Sequence, residues 1–309
     1  MKKVLLVGPL LTSSGYGVHS RQVFQALAQR NDVDLYVQPT SWGNTSWILD
    51  QKFNNNIIKK IVEYSLKVNE TKLFDESFQI ALPNEWRLLA NKNVGITAGF
   101  ECDIVKKSWI EYCNQMDHVI TPSEFSRLAF LNTSSQSGIT LKTDISVINE
   151  WYYDQFNKEN KVNNNFFDFK YNKNILIFGQ VTSKNKISDR KNILKTIQTA
   201  IDFVKDKDIG VVLKINMSKS TTFYKKMVTD FVKENIQETL WNKITLLLGN
   251  FTIEELKMLY RSDKISCFLS GTRAEGWGLP FIEAASCGLP IIATNYSSYK
   301  EFLEDDFLK

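Results

Sequence analysis

The sequence contains few of the residues that build metal sites or disulfide frameworks. Its 309 residues include two histidines and four cysteines, namely His19, His118, Cys102, Cys113, Cys267 and Cys287. No two cysteines have the Cys-x-x-Cys spacing of a zinc site, and two of the four lie in apolar stretches typical of a core. We therefore expect reduced thiols, no structural metal and a cytoplasmic location.

Long apolar runs are also absent. The N-terminal Met-Lys-Lys and the apolar residues 4–11 superficially resemble a signal peptide, but this run is short, contains Gly8 and Pro9, and leads to no small-residue cleavage site. No other run approaches the roughly 20 apolar residues that span a bilayer. The sequence therefore predicts a first buried strand and a protein that is soluble or bound peripherally to a membrane.

The charge balance is mild. A net charge of +4 fits an anionic small molecule or weak contact with acidic lipid, whereas nucleic-acid binding would call for concentrated Lys/Arg stripes. Because the pattern GxxxxGK(S/T) is missing, we do not expect phosphoryl transfer from ATP. A hydrophobic fraction of 43% in 309 residues is ordinary for a globular protein and is sufficient for two domains.

Strand patterns alternate with helical patterns in the first half of the chain. Strands are predicted at residues 4–7, 34–37, 94–97, 118–121 and 145–148, and helices at 18–29, near 109–116 and from 124. A polar loop containing Gly15 and Gly17 would join the first strand to the first helix. Repeated strand, helix and strand indicate a parallel sheet covered on both faces.

The pattern stops over about residues 149–174, an Asn- and Lys-rich segment that we interpret as the connection between two domains, residues 1–150 and 151–309. Thr252 and Glu255 then have the spacing of a capping box. The alternation restarts with strands at 175–178, 211–215, 244–248, 265–269 and 290–293 and helices from 192, over 222–234 and from 252. Two doubly wound domains facing each other would bind ligands at the carboxyl ends of their strands, in the intervening cleft.

The string EGWGLPFIEAASCGLP at residues 275–290 is the most specific motif. Its glycines and Pro280 exclude a continuous helix between Glu275 and Glu283, so the first acid is predicted in a loop and the second in a helix over about residues 280–287. Glu283 would then lie in the first turn, near backbone N–H groups that favour an anion or polar ligand. On spacing alone, an ordinary loop-to-helix junction is the more frequent explanation.

The whole string resembles the signature of retaining GT-B glycosyltransferases, specifically glycosyltransferase family 4. That signature is an acid, a Gly-Phe/Trp-Gly-Leu-Pro turn, a second acid, and a small-residue helix ending in Gly-x-Pro. The resemblance implies two Rossmann-like domains facing a cleft, with Glu275 on the donor sugar and Glu283 on the ribose hydroxyls. It also implies donor contacts from the intervening residues Gly276, Trp277, Gly278 and Leu279.

Shorter segments extend the resemblance. Residues 121–127 resemble the family's Pro-Ser segment, and residues 259–263 match its Leu-Tyr-x-x-Ala-Asp element with serine for alanine. Residues 149–156 resemble the crossover between the domains, but Glu150 and Tyr152 replace the family's glycine and aspartate.

Basic residues open the helix that follows the first strand of the second half. On their own Arg190 and Lys191 fit a solvated basic stretch, because Lys184 and Lys195 are nearby. The resemblance places them where the family keeps its phosphate-binding Arg and Lys, and there they would stabilise a diphosphate leaving group electrostatically. Lys184 is the substitute candidate.

The loop after the first strand carries candidates in the other domain. Gly15 and Gly17 stand where the family's backbone approaches the donor phosphates and the acceptor, and His19 beside them is a candidate on the acceptor side. His118 fits a structural residue better. Family members commonly place a histidine at the end of a first-domain strand, whereas this sequence has Glu101 in that region as the polar candidate.

Two other enzyme classes have partial motifs. Residues 15–20 with Asp34 downstream form an incomplete dinucleotide fingerprint, which lacks its third glycine and lies well beyond the strand, so a nicotinamide oxidoreductase is disfavoured. Asp-x-Asp occurs at residues 32–34 and 206–208, as in metal-dependent sugar transferases of the other major architecture. Both copies adjoin buried strands, as turn acids do.

These observations predict a retaining, metal-independent glycosyltransferase of the hexosyltransferase type, acting in polysaccharide biosynthesis. The donor is expected to be a UDP- or GDP-sugar used as co-substrate without a further cofactor, and the acceptor a glycan, a lipid-linked sugar or another hydroxyl. Asn250 and Phe251 are candidates for contacts to the base. Retention without an evident enzymic nucleophile fits attack by the acceptor on the face that the leaving group occupies.

A non-catalytic or split nucleotide-sugar-binding protein is the alternative. The resemblance implies another strand and helices after residues 290–293, so the second domain is expected to lack its C-terminal elements, and a completing chain or an oligomer is an open alternative. Residues 59–60 or 106–109 offer basic contacts for peripheral binding at the inner face of a membrane, with solvated charge as the competing explanation.

Overall fold

The computed structural model describes residues 1–43, 45–70, 73–99, 101–157, 166–179, 190–216 and 222–303, the side chains of residues 69 and 70 excepted. By its internal contacts the chain divides into two compact units, Met1–Trp151 and Tyr152–Lys309. Each unit is an α/β structure around one parallel sheet, which confirms the predicted fold class. Within the described ranges, no helix combines the length and the apolar character needed to cross a bilayer.

The first unit contains six parallel strands in the order β2-β1-β3-β4-β5-β6. Its main elements are β1 (Lys2–Gly8), α1 (Gly15–Ala28), β2 (Val33–Pro39), α2 (Phe53–Leu66), β3 (Glu76–Ile80), β4 (Lys92–Ile96), α3 (Lys107–Cys113), β5 (His118–Thr121), α4 (Glu124–Ser137) and β6 (Ile145–Val147).

Both faces of this sheet are covered. Along β1, Val4 and Leu6 pack into a cluster with Phe24 of α1, whereas Leu5 points to the other face and packs with Tyr36 and Phe74. Alternate residues of a strand point to opposite faces, so a strand buried on both sides must be apolar throughout. This is why the short apolar run after the N-terminus is a strand.

Two elements of the first unit, α2 and β3, escaped the sequence analysis. In β3 the buried side chains include Ser77 and Gln79, which interrupt the apolar pattern. Ser77 Oγ donates to Asn93 Oδ1 at 2.9 Å, and the Gln79 amide donates to Arg87 O at 2.6 Å and accepts from Arg87 N at 2.9 Å. Because these polar groups are satisfied by partners distant in sequence, hydrophobic periodicity does not reveal the strand.

The second unit contains five parallel strands in the order β11-β10-β7-β8-β9. Its elements are β7 (Asn174–Gly179), α5 (Ile193–Val204), β8 (Gly210–Ile215), α6 (Thr222–Asn235), β9 (Ile244–Leu248), α7 (Ile253–Tyr260), β10 (Ile265–Ser270), α8 (Leu279–Ser286) and β11 (Ile291–Ala293). The predicted capping box is confirmed: Thr252 Oγ1 accepts from Glu255 N at 3.2 Å, and Thr252 N donates to Glu255 Oε2 at 2.7 Å.

The prediction of a polar loop at Gly15 and Gly17 was wrong. Both glycines belong to α1, which begins three residues earlier than residue 18 because Ser14 caps it, with Ser14 Oγ accepting from Gly17 N at 2.9 Å. Gly17 packs closely against the preceding turn, and a methyl group there would lie 2.3 Å from Thr12 O. The glycine thus allows the helix to approach the turn, whereas Gly15 has open space around its Cα.

Replacing the two glycines by alanine should separate these roles. Gly17→Ala is expected to lower the free energy of unfolding by about 1–3 kcal/mol, because the helix or the turn must shift to remove the overlap. Gly15→Ala adds the same methyl group without a contact. It should raise the free energy of unfolding by about 0.4–1 kcal/mol, because it reduces the entropy of the unfolded chain. Urea unfolding of both variants measures the difference, and equal effects would refute the close-packing explanation.

Candidate functional site

A buried carboxylate organises the loop between β10 and α8. Glu275 is 4% exposed. Its Oε1 accepts hydrogen bonds from Lys191 Nζ at 2.5 Å and from Thr272 Oγ1 at 3.0 Å. Its Oε2 accepts from Arg190 Nη1 at 3.0 Å. The structure therefore brings three sequence-predicted residues, Arg190, Lys191 and Glu275, into direct contact.

The backbone of the same loop is fixed by two serines that follow β11. Ser297 Oγ accepts from Glu275 N at 2.7 Å and donates to Glu275 O at 2.8 Å. Ser298 Oγ lies 2.8 Å from Glu275 O and 3.0 Å from Trp277 O. Ser297 has a φ of +96°, a strained conformation for a residue with a side chain. No sequence motif links either serine to the acid, so neither is among the predicted site residues.

The segment that carries the two cations is anchored to the loop after β10. Arg190 Nη1 donates to Ala274 O at 2.9 Å, and Arg190 O accepts from Arg273 N at 3.0 Å. Asn192, which precedes α5 with a φ of +50°, donates from Nδ2 to Gly271 O at 3.0 Å. These bonds hold the cationic segment beside the carboxyl end of β10.

The charged side chains of the cluster differ in exposure. Burial alone would raise the pKa of Glu275, but the charges of Lys191 and Arg190 and their hydrogen bonds outweigh it and keep the pKa below its usual value. Counted over these three described side chains, two cations and one carboxylate sum to a formal charge of +1. The side chains of Arg190 and Lys191 are 35% and 24% exposed, whereas that of Glu275 is 5% exposed. An anionic ligand would therefore meet the cations first.

Glu283 has a different environment from the one predicted. Helix α8 begins at Leu279, because Gly278 takes a φ of +98° and forms the N-cap, so Pro280 is the second helical residue. Glu283 is therefore the fifth residue of α8, beyond its first turn, and the predicted proximity to unpaired backbone N–H groups was wrong. Its Oε2 accepts from Tyr260 Oη at 3.0 Å, and burial raises the pKa of Glu283 to about 8.

Aromatic rings support this second acid. The ring of Tyr260 stacks on Phe178 of β7 at 5.4 Å, and Phe178 meets Phe268 of β10 edge to face at 5.6 Å. Phe268 in turn contacts Phe281 of α8 at 5.2 Å, and Phe281 stacks on Tyr299 at 4.2 Å. A chain of several aromatic contacts restricts the ring positions more than one pair of rings would. They orient the Tyr260 hydroxyl towards Glu283.

The remaining donor-side candidates among the described residues lie near the carboxyl ends of the strands. Gly276 and Trp277 fall between Glu275 and α8, where Trp277 is buried and its ring lies 4.8 Å from that of Phe302. Leu279 is the first residue of α8. Lys184, the substitute phosphate ligand, lies outside the described residues.

Asn250 and Phe251 follow β9, at the far edge of the same sheet. The ring of Phe251 stacks on Phe167 with centroids 5.7 Å apart. Gly249 before them has a φ of +127°, a conformation open to glycine and strained for other residues. These residues thus share the carboxyl edge of the sheet with the cation cluster, since parallel strands end at the same edge.

The acceptor-side candidates lie in the first unit. His19 of α1 is buried, with Nδ1 3.5 Å from Glu150 Oε1. Burial lowers the pKa of His19 to about 4, so the ring is neutral near pH 7 and this contact is not an ion pair there. Glu101 follows β4 and has a φ of +59°. His118 Nε2 lies 2.8 Å from Ser146 Oγ.

Tyr16, between the two glycines of α1, is a polar residue that the sequence analysis overlooked. Its hydroxyl accepts from Ala98 N at 3.0 Å and lies 3.0 Å from Thr97 Oγ1. Its ring stacks on Trp42 at 3.9 Å. The contacts link the start of α1 to the carboxyl end of β4, which Thr97 and Ala98 follow.

The second unit is similar to a known protein family. Residues 180–308 match the profile of "Glycosyl transferases group 1". Among curated protein sequences, none matches the chain.

Solved structures share the fold at low sequence identity. A trehalose-6-phosphate protein from E. coli bound with UDP-2-fluoro glucose is 11% identical, with a TM-score of 0.59 over 97% of this chain and 86% of that one. The catalytic domain of starch synthase IV from Arabidopsis thaliana, bound to ADP and acarbose, is 11% identical, with a TM-score of 0.56 over 100% and 86%. The lipopolysaccharide outer core galactosyltransferase WaaB is 12% identical, with a TM-score of 0.54 over 98% and 84%.

The buried acid, its two cations and the string that follows them all fall within the matched residues. Over residues 180–308 the chain is therefore similar to the glycosyl transferases group 1 family, and it shares the α/β fold of GT-B glycosyltransferases.

Proposed function

We propose that this protein is a retaining glycosyltransferase that transfers a hexose from a UDP- or GDP-sugar to a hydroxyl of a glycan or lipid-linked acceptor. One observation carries the proposal: Arg190 and Lys191 converge on Glu275 in a cluster whose cations are more exposed than its acid. Two partly exposed cations at the carboxyl edge of a parallel sheet suit a diphosphate. The family match over the same residues supports a sugar nucleotide as its source.

The proposed chemistry is electrostatic. The bond between the anomeric carbon and the diphosphate oxygen breaks with its electron pair on the diphosphate, and the acceptor oxygen forms its bond on the same face. The proton of the acceptor hydroxyl passes to the departing phosphate oxygen. Arg190 and Lys191 stabilise the charge that develops on the diphosphate, while Glu275 keeps both cations in position and contacts the donor sugar. No metal ion is needed for this role, and the reaction is expected to proceed in EDTA.

Glu283 is assigned to the ribose hydroxyls. Tyr260 Oη donates to Glu283 Oε2. The other carboxylate oxygen, Oε1, is therefore the one that would accept from the ribose hydroxyls. The pKa of about 8 means that the carboxyl gains its charge, and with it stronger hydrogen bonds, as the pH rises through that value. A ligand that donates two hydroxyls would favour the ionised form.

Incubation with radiolabelled UDP-, GDP- and ADP-sugars tests the function directly. We expect one donor to be hydrolysed slowly in the absence of acceptor, and transferred when a hydroxyl acceptor is present, with equal rates with and without EDTA. In the transfer product, the sugar should have the same anomeric configuration as in the donor. Binding of a nucleotide with neither hydrolysis nor transfer would instead support a non-catalytic binding protein.

Removing either cation should slow the reaction. Lys191→Met and Arg190→Met are each expected to lower kcat on the order of 10²-fold, because each removes a donor that acts on the leaving group. Lys195→Met removes an exposed charge from α5 and is the matched control, with kcat expected to be unchanged. Steady-state kinetics with the identified donor measure the three rates. Equal kcat for Lys191→Met and Lys195→Met would remove Lys191 from the mechanism.

Glu283→Gln keeps the size of the side chain and removes its ability to ionise. We expect the variant to bind the nucleoside diphosphate more weakly by roughly 1–3 kcal/mol, the difference between charged and neutral hydrogen bonds to two hydroxyls. Since the wild-type carboxyl is ionised only above pH about 8, the loss should be largest at pH 9 and shrink towards pH 6. Calorimetric titration at several pH values checks this, with Glu254→Gln in α7 as an exposed control. Unchanged affinity at pH 9 contradicts the assignment.

A further inference from the structure

Lys214 is a lysine in the interior of the second unit's sheet. It belongs to β8, which pairs with β7 on one side and β9 on the other, and every residue of β8 is buried. Lys214 itself is 1% exposed. Lysine is rarely buried to this degree, because its ammonium loses the surrounding water.

The ammonium contacts the loop that follows β9, residues 249–251. Lys214 Nζ donates to Gly249 O at 2.5 Å and to Asn216 Oδ1 at 2.7 Å, and lies 4.3 Å from the ring centroid of Phe251. The backbone adds a bond from Gly249 N to Ile215 O at 3.1 Å. The loop is therefore attached to β8 through its first carbonyl, its first amide and its aromatic ring.

This arrangement costs stability. Burial lowers the pKa of Lys214 to about 8, and the acid that opposes this shift is Glu255 of α7. An apolar side chain at this position of a parallel strand would avoid the loss of hydration. The attached loop also starts with an unusual conformation, since Gly249 has a φ of +127°. A costly buried charge that fixes a loop in one conformation is typical of a functional constraint.

We propose that Lys214 is a positioning residue that fixes Gly249 and Phe251 in the arrangement that receives the nucleoside base of the donor. The inference rests on the proposed function and on the sequence-based prediction that Asn250 and Phe251 contact the base, and it adds a residue that acts through the loop and not on the reacting atoms. The ammonium orients the carbonyl of Gly249 and the ring of Phe251 before the ligand arrives, so the ligand need not order them on binding.

Lys214→Met tests the role of the charge. We expect the dissociation constant for the nucleoside diphosphate that the wild type binds, among UDP, GDP and ADP, to rise about 10-fold at pH 6.5. The melting temperature should stay the same or rise, because the buried charge is gone. Lys207→Met is the matched control: Lys207 Nζ donates to Phe203 O at 2.7 Å and lies 4.3 Å from the Phe203 ring, but on the surface. It should change neither quantity.

The pH dependence distinguishes positioning by charge from simple packing. Lys214 is protonated below pH about 8, so the ratio of dissociation constants between Lys214→Met and the wild type should fall from about 10 at pH 6.5 towards 1 at pH 9.5. Titration of Glu283 is common to both proteins and cancels in the ratio. A ratio that is constant with pH, or equal binding at pH 6.5, overturns the inference while the proposed function stands.

A second variant and the wild-type measurement cover the cases in which Lys214→Met cannot be tested. If Lys214→Met does not fold, Phe251→Leu removes the ring and leaves the ammonium on Gly249. Its binding should then weaken several-fold with no dependence on pH relative to the wild type, and unchanged binding overturns the inference. If the wild type binds none of the three nucleotides, the proposed function fails together with this inference, and that failure appears before any variant is made.

Discussion

The pairing of Glu275 with Arg190 and Lys191 is the interaction on which the second unit's carboxyl edge depends. A buried carboxylate without partners would cost several kcal/mol, so the loop before α8 is stable only if both cations reach it. They come from a segment 84 and 85 residues earlier in the chain. Two serines after β11 fix the backbone of the acid. Three distant segments are therefore ordered by one charge, and substitution at any of them should disturb the others.

Two acids eight positions apart illustrate how environment decides the protonation of a side chain. Glu275 keeps its charge because cations outweigh the effect of burial on its pKa. Glu283 has a tyrosine hydroxyl as its partner in place of a cation, and burial raises its pKa to about 8. Acids whose environments separate their pKa values commonly perform different tasks in one site. The structure thus supports separate roles for the two glutamates, which their spacing in the sequence does not reveal.

Sequence patterns predicted the elements whose stability is local or apolar. The strands with continuous apolar runs and the Thr252 cap follow from residue types that act over a few positions. The failures have tertiary causes: β3 is held by a polar network, α1 starts early because Ser14 caps it, and Gly278 shifts the start of α8 by one residue. Lys214 and Ser297 contact residues more than 20 positions away. A motif can locate the cation cluster, but the side chains that support it are identified only in the folded structure.

The two units differ in the exposure of their charged side chains. In the second unit the exposed ends of Arg190 and Lys191 offer positive charge to a ligand. In the first unit the buried Arg21 donates from Nη1 to the carbonyls of Leu10 and Thr12, each at 2.8 Å, and His19 is neutral at pH 7 because burial lowers its pKa to about 4. A diphosphate needs charged donors to offset its lost hydration, whereas a hydroxyl-bearing ligand needs only neutral hydrogen-bonding groups. The electrostatics of the second unit's cluster therefore suit an anionic ligand, whereas the neutral ring of His19 in the first unit suits an uncharged one.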